Sequence, residues 1–306
     1  MKPQDFFDKI NVRVFKSGTE NSYFFKAARF IVRKSANIVL PFYLKHHSKE
    51  SSAKRQNDVI VSLTSFPARI NQLWYTLITL KHQTIKPEKI ILWLSKEQFP
   101  QTLSDVPQKI REEINEQFEI RFVNEDLRSH KKYFYCFKEY ADKIIITVDD
   151  DIFYNSRLLE YLLKSHKENP NCVVCNRGHH IDKKSTYSNW STIMGTEGPS
   201  YNIIPTGVGG VLYPPHCYDE QIFNINAIKE TCIRADDLWL NFMCRLKGTK
   251  VVTTGLKFSP ITIEASQSVA LCKSNNGIIS GNDAQIESIS KWAKEENGVD
   301  FFYRVE

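Results

Sequence analysis

The sequence predicts an α/β fold: a mainly parallel central sheet with helices on both faces, preceded by an N-terminal amphipathic helical arm. Three observations predict it. From residue 57 onward short apolar runs alternate with helical patterns, the rhythm of βαβ units. The runs are apolar at consecutive positions, as strands buried on both faces require. A chain of 306 residues, 42% hydrophobic and 12% aromatic, can also bury a substantial core, which excludes a disordered tail, a collagen-like fibre and a disulfide-stapled miniature.

The elements follow in order. Residues 1–56 form the arm and its linker. From Tyr23 to Leu44 aromatic and aliphatic residues interleave with basic ones: Lys26, Arg29 and Arg33 fall on one helical face, Phe24, Ala27, Ala28 and Ile31 on the opposite one, up to the breaker Pro41. That apolar face is suited to the protein's own core, to a second subunit or to an anionic membrane surface. Residues 46–57 (HHSKESSAKRQN) read as a linker. Residues 57–306 form the main unit, divided into halves at 57–155 and 156–306. Strands are predicted at Val59–Leu63, Lys89–Leu94, Glu119–Val123 and Lys143–Val148. Between them fall helices over Ile70–Gln83, where Leu73, Leu77 and Leu80 share a side, Pro107–Asn115 and Lys131–Tyr140. Ligands of such sheets bind beyond the carboxyl ends of the strands, so the residues after each strand are where chemistry is expected.

The net charge of +6 is unevenly spread, since residues 1–56 hold 12 Lys and Arg against 4 Asp and Glu. The body is therefore slightly acidic, which argues against nucleic acid as a partner. The 7 cysteines, among them Cys272, are odd in number and scattered, as in a reduced cytoplasmic protein. No run has the pattern of a signal peptide or reaches the ~20 apolar residues of a membrane span.

The sharpest feature is Asp149, Asp150 and Asp151 directly after the strand IIITV. Adjacent carboxylates repel, and a divalent cation or a hydroxyl-rich ligand offsets that repulsion. In an extended segment Asp149 and Asp151 point one way and Asp150 the other. Helix capping is the competing explanation, although a cap needs one carboxylate. A second acidic pair, Asp236 and Asp237, opens the helical pattern ADDLWLNFMCRL. There the choice lies between an N-cap and a chemical role, or one residue in each.

Together VIVSLTSFPARI (59–70), IIITVDDDIFY (144–154), GVGGVLYPP (207–215) and ADDLWL (235–240) resemble bacterial GT-A type glycosyltransferases of cell-surface polysaccharide synthesis. The resemblance spans about residues 57–285. It implies a GT-A type fold and transfer of a sugar from a nucleotide-diphosphate donor to a hydroxyl of a growing glycan, with inversion. It implies Mn²⁺ or Mg²⁺ held against the donor diphosphate by Asp151 and Asp149, with Asp149 also near the ribose. Thr64, Ser65 and Arg69 match the segment that meets the nucleotide. Asp126, Lys131 and Lys132 match groups around base, ribose or diphosphate. Asp237, with Asp236 beside it, matches the catalytic base. Gly207, Gly209 and Gly210, with Trp239 in the next motif, are the expected acceptor or sugar contacts.

The implied partners are a nucleotide-sugar donor and a glycan or lipid-linked acceptor, with an anionic inner-membrane surface reached through residues 23–44. The expected location is the cytoplasm, resting on the inner face of the membrane. A metal-dependent phosphohydrolase using the same Asp cluster, or an inactive membrane-associated nucleotide-binding scaffold, are the alternatives. The late stretch SNNGIISGNDAQI, with Asn275, Asn276, Asn282 and Asp283, reads as a turn before the last helix rather than a flap over the donor. Zinc at Cys172, Cys175, His179 and His180 is disfavoured, because the two cysteines leave opposite faces of a strand.

Overall fold

The computed structural model describes residues 1–14, 23–47, 53–257, 259–265 and 281–306. Cys272, Asn275, Asn276 and positions 48–52 of the expected linker lie outside them. In chain order the regular elements are α1 (Pro3–Val14), α2 (Tyr23–His46), β1 (Lys54–Arg55), β2 (Val59–Thr64), α3 (Leu73–Lys81), β3 (Ile85–Lys86), β4 (Lys89–Ser95), α4 (Gln108–Arg111), β5 (Phe118–Val123), α5 (Lys131–Glu139) and β6 (Ile144–Thr147). They continue with α6 (Leu158–Glu168), β7 (Val173–Cys175), β8 (Gly178–His180), β9 (Thr192–Ile193), β10 (Ile203–Pro205), β11 (Val211–Tyr213), α7 (Ile225–Thr231), α8 (Asp236–Lys247), β12 (Val251–Thr253) and α9 (Asn282–Asn297).

Seven strands form the central sheet in the order β12-β7-β11-β6-β2-β4-β5. All neighbours are parallel except β11, which runs antiparallel between β6 and β7. Side chains alternate across the sheet. Ile60, Ile91 and Ile145 enter one core with α5, α8 and α9, whereas Val61, Leu92 and Ile146 enter the other with α2, α3 and α6. The expected α/β architecture with both faces covered is the one observed. A three-stranded antiparallel sheet, β10-β8-β9, stands beside the main one.

Two local expectations are corrected. Pro41 does not end its helix, since α2 continues to His46 with Pro41 inside it. An interior proline costs about 3 kcal/mol, and burying Leu40 and Leu44 on its two sides offsets that cost. The arm is also turned the other way round. Ala36, Leu40 and Leu44 are the buried residues of α2, while Phe24 and Ile31, on the face expected to be able to pack inward, are 75% and 62% exposed. Beside that apolar contact the arm is attached through polar groups: Asp5 accepts from Ser156, Asp8 from Asn155, and Asn11 donates to Ser259.

Candidate active site

The strand order reverses at β2, which pairs with β4 on one side and β6 on the other. Such a switch point leaves a crevice beyond the carboxyl ends of the strands. A cleft of about 590 Å³ opens there. It is lined by Thr64, Ser65 and Arg69 after β2, Asp126, Lys131 and Lys132 after β5, the aspartates after β6, and Asp236 and Asp237 at the start of α8. Motifs up to 173 residues apart thus converge because each follows a strand or opens a helix at one end of the sheet.

The three aspartates have separate partners. β6 ends at Thr147, so the run bends and the expected alternation fails. Asp150 and Asp151 both reach Arg69 Nη1, at 2.8 and 3.2 Å. Asp150 also accepts from Ser65 Oγ at 2.5 Å, and Thr76 Oγ1 donates to its carbonyl at 2.9 Å. Burial pushes the Asp150 carboxyl upward, with Arg69 and Ser65 acting against it. Asp150 therefore pins the loop after β2 to the end of β6, a structural task. Asp149, the more exposed neighbour, lies 2.9 Å from Lys132 Nζ.

Lys132 is the centre of the second cluster. Its Nζ is 2.9 Å from Asp149 and 2.9 Å from Asp236, with Asp237 close enough to act on its charge. Burial alone would lower the ammonium, but Asp149, Asp236 and Asp237 raise it well above its ordinary value, so it stays charged. Burial also acts to raise Asp236, yet Lys132 beside it holds it below the usual carboxylate range. For Asp237 the pull of Lys132 is outweighed. Burial and then the charge of Asp236 push it up to about 7. Its two oxygens accept from the Gly207 N–H at 3.1 and 3.0 Å.

Neither aspartate caps α8. Ala235 occupies the N-cap and makes no side-chain cap bond, which leaves both carboxylates in the first turn facing the cleft. His130 fixes this turn: its Nε2–H donates to the Cys232 carbonyl at 2.9 Å, so Nδ1 accepts from the Tyr133 hydroxyl at 2.9 Å. Burial brings His130 down to about 4, in keeping with a neutral ring.

The remaining expected residues divide. Lys131 donates to Asp126, and Thr64 Oγ1 donates to the Trp93 carbonyl at 2.7 Å. Gly207 sits against the cluster, where a Cβ would come within 2.9 Å of Lys132 Nζ and 3.2 Å of Asp237 Oδ1. Gly209 instead allows close approach of Arg177, and Gly210, at φ +76°, packs on Leu158. Trp239 is placed away from the cleft, fully buried, donating to the Ile222 carbonyl at 3.1 Å and packed on Trp292. Of the late stretch, Asn282 reaches the cleft lining, while Asp283 accepts from the Tyr187 N–H.

Arg177, His179 and Tyr187 line the cleft and were not anticipated as site residues. Arg177 Nη1 donates to Thr206 Oγ1 at 2.9 Å and to His179 Nε2 at 3.3 Å. Burial, followed by the charge of Arg177, takes His179 down to about 4. The signal was available: Arg177 follows β7 as the aspartates follow β6. The other ring nitrogen of His179, Nδ1, lies 3.2 Å from Thr192 Oγ1.

No protein-family profile matches the chain, and no curated protein does. Among solved structures it is similar to apo UDP-glucose pyrophosphorylase, with TM-score 0.38 and 11% identity over 71% of this chain and 97% of that one. UDP-glucose pyrophosphorylase complexed with UDP-glucose gives TM-score 0.37 and 9% identity over 71% and 98%. A third, 4-diphosphocytidyl-2C-methyl-D-erythritol synthase, gives TM-score 0.38 and 9% identity over 68% and 94%. Likeness at this level assigns neither substrate nor chemistry.

Among the described residues no group of three His, Cys, Asp or Glu stands together as a metal cage. Asp149 and Asp151 supply oxygen donors, and each already faces a cation, Lys132 and Arg69 respectively. That donor set fits a hard divalent ion of the kind bound by one or two carboxylates jointly with substrate phosphates and water, and does not fit a self-sufficient protein site.

Proposed function

We propose that this chain is an inverting glycosyltransferase of GT-A type, moving a sugar from a nucleotide-diphosphate donor to a hydroxyl of a growing surface glycan. The observation that carries the reading is Asp237, a half-buried carboxylate that accepts from the Gly207 N–H and is pushed up to about 7, in the lining of the same cleft as the aspartate run after β6. A general base is most effective when its pKa lies near the working pH.

Asp237 takes the proton of the acceptor hydroxyl as that oxygen forms its bond to the anomeric carbon. The bond from that carbon to the diphosphate oxygen breaks, and the electron pair leaves with the nucleoside diphosphate. Lys132, fixed by Asp149 and Asp236, places a permanent positive charge beside the reacting groups. Lys131, Arg69 and the loop after β2 supply the wall for the nucleotide and phosphates. A divalent ion, Mn²⁺ or Mg²⁺, held by Asp149 and Asp151 together with the diphosphate, would offset the charge of the leaving group. Gly207 keeps the space between the base and Lys132 free of a side chain.

The test is release of nucleoside diphosphate from a panel of nucleotide sugars with glycan acceptors. Asp237→Asn should lower turnover by about 10²–10⁴-fold. Turnover of simple phosphate esters, with nucleotide sugars untouched, would assign the cluster to phosphohydrolysis instead.

A further inference from the structure

We propose that α2 docks the protein on an anionic lipid surface through the apolar face that it turns away from the body. Phe24, Ile31, Ile38 and Phe42 recur at intervals of 7, 7 and 4 residues, which places them on one line along the helix. All four are exposed, Ile38 by 73% and Phe42 by 68%, and Phe30 and Val39 flank them. The opposite side of α2 holds its buried residues and its bonds to the body. Asn37 donates to the Thr262 carbonyl and accepts from the Glu264 N–H, both at 2.9 Å, and Lys34 pairs with Glu264 at 2.6 Å. The helix is therefore fixed with its apolar stripe outward.

The charges around the stripe select the occupant. Lys9, Arg13 and Lys45 are exposed on the two arm helices, and no Asp or Glu of those helices is. The acidic residues of those helices, Asp5 and Asp8, are spent inward on Ser156 and Asn155. An apolar ridge on a helix pair that exposes cations and withdraws its carboxylates complements the acyl region and anionic headgroups of a bilayer. A second copy of this chain would bring the same exposed cations and be repelled by them. No described helix is long and apolar enough to cross a membrane, so the contact lies in the plane of the interface.

The docking also orients the cleft. Thr262, bonded to Asn37, is itself part of the cleft lining, so docking holds the cleft on the same structural unit as the lipid contact. The proposal does not depend on the reaction assigned to the cleft, and its test does not use turnover.

The test is co-sedimentation of the full chain with vesicles of phosphatidylcholine, alone or mixed with phosphatidylglycerol. Binding to the mixed vesicles should exceed binding to phosphatidylcholine by at least about tenfold and weaken with added salt, as surface cations on an anionic membrane require. The variant carrying Phe24→Ser, Ile31→Ser, Ile38→Ser and Phe42→Ser should lose at least about tenfold in vesicle binding with an unchanged Tm, because exposed side chains contribute little to stability. Three results would overturn the proposal. These are equal binding to both vesicle types, a dimer in solution that the variant abolishes, or a fall in Tm showing that the stripe is covered within the chain.

Discussion

Lys132 Nζ lies 2.9 Å from the Asp236 carboxylate, and this buried ion pair sets the character of the adjacent Asp237. Because Lys132 keeps Asp236 charged, Asp237 sits half-buried beside a permanent negative charge and rises to about 7. Two neighbours in sequence are thereby driven apart in acidity, the pattern by which one site assigns a base and a spectator. Lys132→Met removes the charge that separates them. Turnover should fall at least about tenfold, and the pH profile should lose its limb near neutrality.

The same raised carboxyl predicts a pH dependence of the reaction. Asp237 accepts a proton only when ionised, so turnover should rise with pH through about 7 and level off above it. Rate measurements from pH 5 to 9 on native protein check this, and a flat profile through neutrality would remove Asp237 as the base.

Gly207→Ala separates activity from stability. The added Cβ meets only side-chain ends, Lys132 Nζ at 2.9 Å, Asp149 Oδ1 at 3.1 Å and Asp237 Oδ1 at 3.2 Å, and a shift of a few tenths of an ångström in these relieves the contact while displacing the charges. The fold should keep its Tm within a few degrees while turnover falls by about one to two powers of ten, since misplacing a charge by an ångström costs on that order.

Arg69→Met should lower stability in addition to weakening nucleotide binding. It leaves Asp150 and Asp151, both buried, without the guanidinium they share at 2.8 and 3.2 Å. Breaking one side of a buried pair costs about 3–5 kcal/mol, which urea denaturation would resolve. A loss below about 1 kcal/mol would mean that the pin between β2 and β6 is held by Ser65 and Thr76 alone.

Attachment of the arm should respond to pH through Asp8, which burial raises to about 7 against the pull of its bonds to Asn155 and Ser259. The sign follows from linkage. Between about pH 4 and 7 the unfolded chain has released this proton while the folded protein retains it, so stability falls as pH rises across that window. Asp237 contributes with the same sign, so the readout is the difference from Asp8→Asn, whose denaturation midpoint should vary less with pH over the same range.

The strands were legible because a buried parallel strand is apolar at nearly every position, as VIVSL, KIILWL and KIIITV are. The convergence of residues after β2, β5 and β6 followed from the same rule about strand ends. Arg177 was missed because that rule was not carried on to β7. The bend after Thr147 was invisible, since strand length depends on pairing partners, and β11 pairs with β6 only over Ile145–Thr147. Periodicity identified the two faces of α2 but not which one the body would take. Hydrogen bonds from Asp5, Asp8, Asn11 and Asn37 to distant loops decided that orientation, and such partners leave no local pattern. Trp239 belongs to a motif yet faces the core, because on α8 it lies two positions beyond Asp237 and so on a different side of the helix.

The central claim, a cleft that binds a nucleotide-diphosphate sugar, is tested most directly by the thermal unfolding midpoint measured against nucleoside diphosphates and nucleotide sugars with and without Mn²⁺. A ligand at 100 times its Kd stabilises the folded state by about 2.7 kcal/mol, a readily measured rise in Tm. The account predicts such a rise for at least one nucleotide with Mn²⁺, reduced by Asp151→Asn. No rise for any nucleoside diphosphate or nucleotide sugar, with metal present, would contradict it.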